Sequence, residues 1–363
     1  MTTAPGPAKW YAHRRPAGWT CPAASSAALE FHRGLAGYAP TPLVDLPVLA
    51  AELGVGHVLV KDESSRLGLP AFKALGASWA VHRALREHTG GGRGLTVVAA
   101  TDGNHGRAVA RFARELGHRA SIVVPTGVHP SAMQAIVDEG AELTAVDGSY
   151  DDAVAVAQEL ATADDAILVQ DTAWDGYEDI PGWIVEGYDT LFAEVDEQLR
   201  DADVSGPHLV VVPVGVGSLL QAALVHYRSG PDAATTAVMS VEPEAAACVA
   251  AGLAAGGPVT VPTGPTIMAG LNCGTPSNLA WPYIENGLDA ATAVSDDDDR
   301  QAAHDLTSLG VTAGPCGAAT LAAARLALSG PDSVARRAHL GTTADSTVVL
   351  LVTEGSEANP SAL

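Results

Sequence analysis

The sequence predicts an α/β protein in which parallel sheets carry helices on both faces. Two observations predict this class: short apolar runs recur along the chain, and stretches rich in Ala and Leu, long enough for helices, separate most of them. A third is that Gly and Pro interrupt the apolar runs, as in folded globular proteins. The length of 363 residues leaves room for two domains.

Seven apolar runs are predicted to be buried strands, because they are continuous in Val, Ile and Leu rather than alternating with polar residues. Their limits are 58–60, 96–99, 121–124, 167–169, 209–213, 237–241 and 348–352. Stretches between them are predicted to be helices, for example at 72–86, 108–116 and 131–139. The acidic run 296–299 is expected to open a further helix, since acidic side chains stabilise the positive end of a helix dipole.

The charge balance argues against nucleic acids and membranes as partners. The 42 acidic and 20 basic residues give a formal net charge of −22, which repels phosphate backbones and anionic lipid headgroups. The N-terminal segment contains Lys9, Arg14 and Arg15 but no apolar run of the kind that a signal peptide needs. We therefore expect a cytoplasmic protein.

Neither a membrane span nor a metal centre is predicted. The longest apolar stretch, 209–225, is interrupted by Pro and Gly residues, which favours strand, turn and helix over a transmembrane segment. The cysteines lack CxxC spacing and a nearby pair of histidines, so a zinc site is not expected. In a reducing compartment they are expected to be thiols. They are Cys21, Cys248, Cys273 and Cys316.

Polar residues cluster in the loops that follow the predicted strands. In open α/β sheets, ligands bind at the carboxyl ends of the strands. We therefore expect most of these loops to contribute to a single site. The loops cover 61–63, 101–106, 170–172, 215–218, 242–244 and 353–355.

Lysine is scarce, which narrows the choice for any Schiff-base chemistry to Lys9, Lys61 and Lys73. The first lies in a leader rich in Pro and Ala, and the two acids that follow Lys61 would hold it charged. Lys73 is preceded by Gly and Pro, begins a predicted helix and has no adjacent acid. Burial and a helix N-terminus both favour a neutral amine there. The alternative is an ordinary surface lysine on an amphipathic helix.

The segment 101–106, Thr-Asp-Gly-Asn-His-Gly, follows a strand and opens a helix. Its backbone N–H groups would therefore point at an anion above the sheet, either a carboxylate or a phosphate. The alternative is a simple helix cap in which Asp102 or Asn104 is the acceptor. His105 would then be a structural histidine.

A second glycine loop, 215–219, also lies between a strand and a helix and is suited to binding phosphate. It matches part of a dinucleotide-binding fingerprint, with Glu242 as the acid, but Leu220 occupies the third glycine position. No Gly-Lys-Ser/Thr follows either loop, so a P-loop nucleotide site is excluded.

Taken in order, Phe72-Lys73 and the segments 101–106, 215–219 and 353–355 resemble the fold-type II enzymes that use pyridoxal phosphate (PLP). This group includes threonine dehydratase, serine racemase and the tryptophan synthase β-subunit. Three further stretches are similar to the diaminopropionate ammonia-lyases, and the resemblance spans about residues 35–360. Those stretches are 71–78, 170–177 and 266–274.

The resemblance implies a fold with two open, twisted, mostly parallel sheets flanked by helices. A smaller domain, 81–180, would be inserted in a larger PLP domain formed by 1–80 and 181–363. Residues 1–30 would be a poorly ordered leader. A homodimer is expected by analogy.

The resemblance also implies roles for the matching residues. Lys73 would form the Schiff base with PLP, Asn104 would contact the ring oxygen, and Thr353 would face the pyridine nitrogen. A neutral hydroxyl at that nitrogen favours loss of a β-group over a fully delocalised carbanion. The phosphate loop would consist of Gly215, Val216, Gly217, Ser218 and Leu219. The catalytic residues would be Lys73, Asp102 and Asp171, and the substrate contacts Thr101, Asp102, Gly103, His105 and Asp171.

The reaction implied is conversion of 2,3-diaminopropionate to pyruvate and two ammonia. The related dehydratases carry two serines where this chain has Thr101 and Asp102, and a carboxylate suits a cationic β-amino group. Lys73 would take the α-proton from one face and Asp102 from the other, so that one site would serve both enantiomers.

Three other functions remain as alternatives. The first is a serine or threonine dehydratase, or another PLP enzyme of β-elimination or β-replacement. The second is a non-catalytic PLP-binding protein, which would be expected to lack the proton-transfer acids. The third, a nicotinamide-dependent dehydrogenase, depends on the partial glycine match alone.

This chain departs from the enzymes it resembles in the loop 314–318, which has no acidic residue where one is expected near the cofactor. Cys248 and Cys273 lie in stretches that resemble cysteine-carrying segments of the family. A bridge between them is therefore left open, although the compartment favours thiols.

Overall fold

The computed structural model describes residues 9–88, 94–101, 103–230 and 235–358, which form two sheets flanked by helices. The strands are β1 (Trp10–Ala12), β2 (Leu43–Asp45), β3 (His57–Asp62), β4 (Thr96–Ala100), β5 (Arg119–Val124), β6 (Glu142–Ala145), β7 (Ala166–Leu168), β8 (Leu209–Pro213), β9 (Ala237–Pro243), β10 (Ala290–Val294) and β11 (Thr347–Val352). The helices are α1 (Ala27–Arg33), α2 (Pro47–Leu53), α3 (Lys73–Glu87), α4 (Asn104–Glu115), α5 (Pro130–Asp138), α6 (Tyr150–Leu160), α7 (Asp179–Asp201), α8 (Ser218–Arg228), α9 (Cys248–Ala255), α10 (Trp281–Gly287), α11 (Asp296–Ser308), α12 (Pro315–Leu328) and α13 (Ser333–Leu340).

The larger sheet has seven strands in the order β1-β10-β9-β8-β11-β3-β2. Its inner strands pair in parallel, whereas β1 and β2 are antiparallel edge strands. Alternate residues of β8 enter two different cores: Val210 and Val212 pack in one, and Leu209 and Val211 in the other. Burial on both faces explains why the inner strands are mostly continuous apolar runs.

The smaller sheet has four parallel strands in the order β6-β5-β4-β7. The α/β class is thereby confirmed, and all seven predicted strands are present. Four strands, β1, β2, β6 and β10, were not predicted. The segment of β10, Ala-Ala-Thr-Ala-Val, has the alanine content of the helical stretches. Among the described residues, no helix is both long and apolar enough to cross a membrane.

The leader differs from the expectation of poor order over 1–30. Within its described part, β1 pairs antiparallel with β10, with Trp10 opposite Thr292. The Arg15 guanidinium donates to the Asp289 carboxylate at 2.8 Å. The physical reason is that β10 would otherwise be an unpaired edge strand, and the leader satisfies its backbone groups.

A network of four charged side chains is buried between β3 and α7. Glu194 accepts from the Lys61 ammonium at 2.7 Å and from the Arg66 guanidinium at 2.7 Å. The same guanidinium pairs with Glu63 at 2.6 Å, and all four side chains are 0% exposed. The ion-pair partner of Lys61 is therefore Glu194 from a distant helix, rather than the adjacent acids. The network fixes the loop between β3 and α3.

Replacing Glu194 with Ala should lower the free energy of unfolding by about 3–5 kcal/mol, because it leaves two buried cations without their shared partner. Glu197 on the same helix provides a matched control, since its pair with Arg33 is exposed. Glu197→Ala should cost about 0.2–1 kcal/mol. Urea denaturation of both variants measures the difference, and equal losses would mean that burial of the network contributes nothing.

Candidate active site

Lys73 is the first residue of α3, and its side chain is 25% exposed. Its Nζ donates to Asp171 Oδ2 at 2.5 Å. Burial lowers the pKa of Lys73, but the charge of Asp171 outweighs this effect and raises that pKa above its usual range. The expectation of a lysine without an acid beside it was wrong, because the acid comes from the loop after β7.

Asp171 is held from several sides. Its backbone carbonyl accepts from Ser218 Oγ at 3.1 Å, and the Tyr150 hydroxyl donates to its carboxylate at 3.4 Å. Gln170 in turn donates to the Tyr150 oxygen at 2.6 Å. Although burial opposes ionisation, the charge of Lys73 holds the pKa of Asp171 well below its usual range. Tyr150, which lies at the start of α6, was not predicted as a site residue.

The loop before α4 is braced by the Thr101 hydroxyl, which accepts from the amides of Gly103 at 2.9 Å and Gly106 at 3.0 Å. The residue at the N-cap of α4 is Gly103, which has no side chain, and the Asn104 amide donates to Glu354 instead of capping the helix. Capping by Asn104 is therefore wrong. Asp102 lies outside the described residues.

His105 is buried next to Asp171. One ring nitrogen, Nε2, contacts the Val169 carbonyl at 2.8 Å, and since a carbonyl only accepts, Nε2 carries the proton. Burial lowers the pKa of His105, which favours the neutral ring. The other nitrogen, Nδ1, has no hydrogen-bond partner among the described residues and lies 4.0 Å from Asp171 Oδ2. A purely structural role would therefore leave one ring nitrogen of His105 without a hydrogen bond.

The glycine loop 215–219 joins β8 to α8. Within the described chain, none of its backbone amides donates a hydrogen bond. Gly217 has a φ of +105°, and a Cβ at Gly215 would lie 2.8 Å from the Gly270 carbonyl oxygen, so both positions require glycine. Free amides at the positive end of α8 are suited to binding a phosphate. Val216 and Leu219 would contribute their amides to it.

Glu242 does not serve this loop. Its carboxylate is fully buried and accepts from the amides of Val249 at 2.7 Å and Ala250 at 2.9 Å, so it caps α9. A dinucleotide fingerprint requires its acid to face a ribose. Glu242 therefore gives no support to the alternative of a nicotinamide-dependent dehydrogenase.

Thr353 and Glu354 follow β11 and lie against the loop that carries Lys73. The Thr353 carbonyl accepts from the Phe72 amide at 3.0 Å, and both residues are buried. Glu354 accepts from Asn104 at 2.7 Å and from the Cys316 amide at 3.3 Å. It supplies an acid next to the loop 314–318, which has none of its own. The expectation that ligands bind at the carboxyl ends of strands selected the segment 353–355, but no role was predicted for Glu354.

These residues fit PLP. The amides of 215–219 suit its phosphate, the amine of Lys73 suits its aldehyde, and the Thr353 hydroxyl makes no hydrogen bond to the described residues. Tyr188 is close enough to interact electrostatically with Lys73 and Asp171, and its buried hydroxyl also has no hydrogen-bond partner among the described residues.

Cys248 and Cys273 are separate thiols, so the structure does not form the bridge that the resemblance left open.

The model of the pyridoxal-phosphate dependent enzyme family matches residues 35–354. Diaminopropionate ammonia-lyase from Escherichia coli (strain K12) is 36% identical over 351 residues, which cover 90% of this chain and 87% of that protein. An L-threonine dehydratase from Corynebacterium glutamicum is 30% identical over 302 residues, covering 82% of this chain and 66% of that protein.

Two solved structures of the Escherichia coli diaminopropionate ammonia-lyase each cover 97% of this chain and 95% of their own. The complex with D-serine has a TM-score of 0.89 at 32% identity. The complex with an aminoacrylate-PLP azomethine reaction intermediate has a TM-score of 0.88 at 33% identity. This chain therefore belongs to the pyridoxal-phosphate dependent enzymes and, within them, to the diaminopropionate ammonia-lyase family.

Proposed function

We propose that the protein uses PLP to eliminate the β-amino group of 2,3-diaminopropionate as ammonia. Water then hydrolyses the released aminoacrylate to pyruvate and a second ammonia. The observation that carries the proposal is the contact of 2.5 Å between Lys73 and Asp171. It supplies an amine for proton transfer and a carboxylate beside it. A carboxylate pairs with a cationic β-amino group through both a hydrogen bond and opposite charge, whereas a neutral β-hydroxyl offers the hydrogen bond alone.

The residues of this chain would divide the work as follows. The amides of 215–219 bind the phosphate, the Thr353 hydroxyl faces the pyridine nitrogen, and Asn104 contacts the ring oxygen. When bound, PLP supplies an electron sink for the negative charge that develops at the substrate α-carbon. Lys73 then moves the α-proton on one face, while Asp171, freed from its ion pair with Lys73, holds the leaving amine.

Thr101, Gly103 and His105 would contact the substrate. The amides of Asn104 and His105 at the positive end of α4 donate to no other described residue and suit the substrate carboxylate. Nδ1 of His105, an acceptor without a partner among the described residues, suits an ammonium group. We assign Asp102 as the base on the opposite face, so that both enantiomers react. The complex of the Escherichia coli enzyme with D-serine supports a site in this family that admits a D-amino acid.

Serine or threonine dehydration, or another β-elimination or β-replacement, is the second candidate function, supported by the similarity to threonine dehydratase. A comparison of kcat/KM for L- and D-diaminopropionate, L-serine and L-threonine separates the two. We expect a diaminopropionate enantiomer to be the best substrate. A higher value for serine or threonine would make the protein a dehydratase.

We further propose a large PLP domain, 1–80 and 181–363, with a small domain, 81–180, inserted in it. The separate sheet formed by β4 to β7 supports this division. We also propose a cytoplasmic homodimer, supported by the expected thiols and by analogy with the enzymes the chain resembles. Analytical ultracentrifugation of the full chain tests the dimer, and a monomer at micromolar concentration would contradict it.

A further inference from the structure

The Glu354 carboxylate is buried between two parts of the candidate site. The residue is 6% exposed and lies directly after Thr353, at the end of β11. Its partner Asn104 is 250 residues away in the sequence, at the start of α4. The contact therefore connects the strand that carries the proposed ring-nitrogen contact to the helix that carries the proposed ring-oxygen contact.

Glu354 is fixed on three sides. One carboxylate oxygen, Oε1, accepts from the Cys316 amide at 3.3 Å, and its backbone carbonyl accepts from the Gly314 amide at 2.9 Å. Its backbone also bridges to Ala71, two residues before Lys73. A Cβ at Gly314 would lie 2.9 Å from Glu354 Cγ, so glycine at this position makes room for the side chain. A carboxylate held in this way is a rigid acceptor.

The second carboxylate oxygen of Glu354 sets the orientation of the Asn104 amide. Asn104 Nδ2 donates to Glu354 Oε2 at 2.7 Å, and this is the one hydrogen bond of that side chain among the described residues. Nδ2 is the donor in this contact and a carboxylate oxygen is the acceptor, so Nδ2 faces Glu354 and Oδ1 faces away. Nδ2 keeps a second N–H free. This is the group that would donate to the ring oxygen of PLP.

We propose that Glu354 is a positioning residue that orients the Asn104 amide toward the ring oxygen of PLP. The inference rests on the proposed PLP site but not on the identity of the substrate. A hydrogen bond from Asn104 to an anionic oxygen strengthens when its donor is also bonded to a carboxylate, since such chains polarise one another. Without Glu354 the amide is free to rotate, and the ring oxygen loses a fixed donor.

The test is a double-mutant cycle on PLP affinity, made with the full chain and PLP alone. Hydrogen bonds to charged groups predict that Glu354→Ala and Asn104→Ala each weaken PLP binding by about tenfold to a hundredfold. The double variant should bind no more weakly than the worse single variant. Losses that multiply would show that the two residues act independently and would overturn the proposal.

Two further measurements separate positioning from a general effect on folding. Glu354→Ala should also shift the visible absorption maximum of bound PLP. Glu354→Gln retains an acceptor of the same size, so its PLP affinity and its absorption maximum should both lie closer to the wild-type values. Glu357→Gln, at an exposed acid three residues along, should change neither quantity. If Glu354→Ala binds PLP with wild-type affinity and absorption, or if Glu354→Gln behaves as Glu354→Ala in both, Glu354 does not orient Asn104. A wild-type chain that does not bind PLP would instead contradict the proposed function.

Discussion

Replacing Lys73 with Ala should reduce turnover by at least about ten-thousandfold, the upper end of what loss of one proton-transfer group costs. Lys73 would both bind the cofactor covalently and transfer the α-proton, and the described chain offers Lys9 and Lys61 as its other lysines. The visible absorption of the lysine-bound cofactor should also be lost. Free PLP should still bind weakly through the amides of 215–219.

Borohydride reduction of the wild-type enzyme, followed by peptide mapping, identifies the lysine directly. We expect the label on Lys73. Lys9→Ala serves as the control, because Lys9 is 54% exposed and pairs with Glu244, and it should leave turnover and absorption unchanged. Label on the peptide of Lys61 or Lys9 would show that the assignment is wrong.

Replacing Asp102 with Asn should reduce turnover of D-diaminopropionate by about a hundredfold to ten-thousandfold, the range for loss of a general base. Asn keeps the size and most of the hydrogen bonding of Asp but does not accept the proton. Turnover of the L-enantiomer should fall less, because Lys73 remains on its face. Both enantiomers are measured with wild type and variant at equal PLP occupancy.

Asp171→Asn is the comparison for this experiment, since Asp171 lies next to Lys73 and would act on both enantiomers. It should reduce both rates by similar factors. Equal losses for the two enantiomers in Asp102→Asn would mean that Asp102 positions the β-amino group instead. No loss for either would assign the acid–base role to Asp171.

Local patterns were sufficient to predict the main-chain features of the site. The continuous apolar runs predicted the strands of both sheets that end at the site, because most of these strands are buried on both faces. Glycine in the segment 215–219 predicted the close backbone approach observed at Gly215 and the positive φ at Gly217. Lys73 was selected by the scarcity of lysine, and it does begin α3.

Side-chain partners across the site were not predictable in the same way. Lys73 and Asp171 are 98 residues apart, and Asn104 and Glu354 are 250 apart. No local periodicity encodes such contacts, because they form only when loops of two different sheets meet. The protonation preference of Lys73 was therefore predicted with the wrong sign, and Glu354 was overlooked.

The ratio of ammonia to pyruvate formed from diaminopropionate tests the central claim most directly. The full chain is incubated with PLP and each enantiomer, and both products are measured over the same time course. Elimination of the β-amino group followed by hydrolysis predicts two ammonia for each pyruvate. The account is contradicted if neither enantiomer gives pyruvate while the same preparation converts serine to pyruvate with one ammonia for each pyruvate.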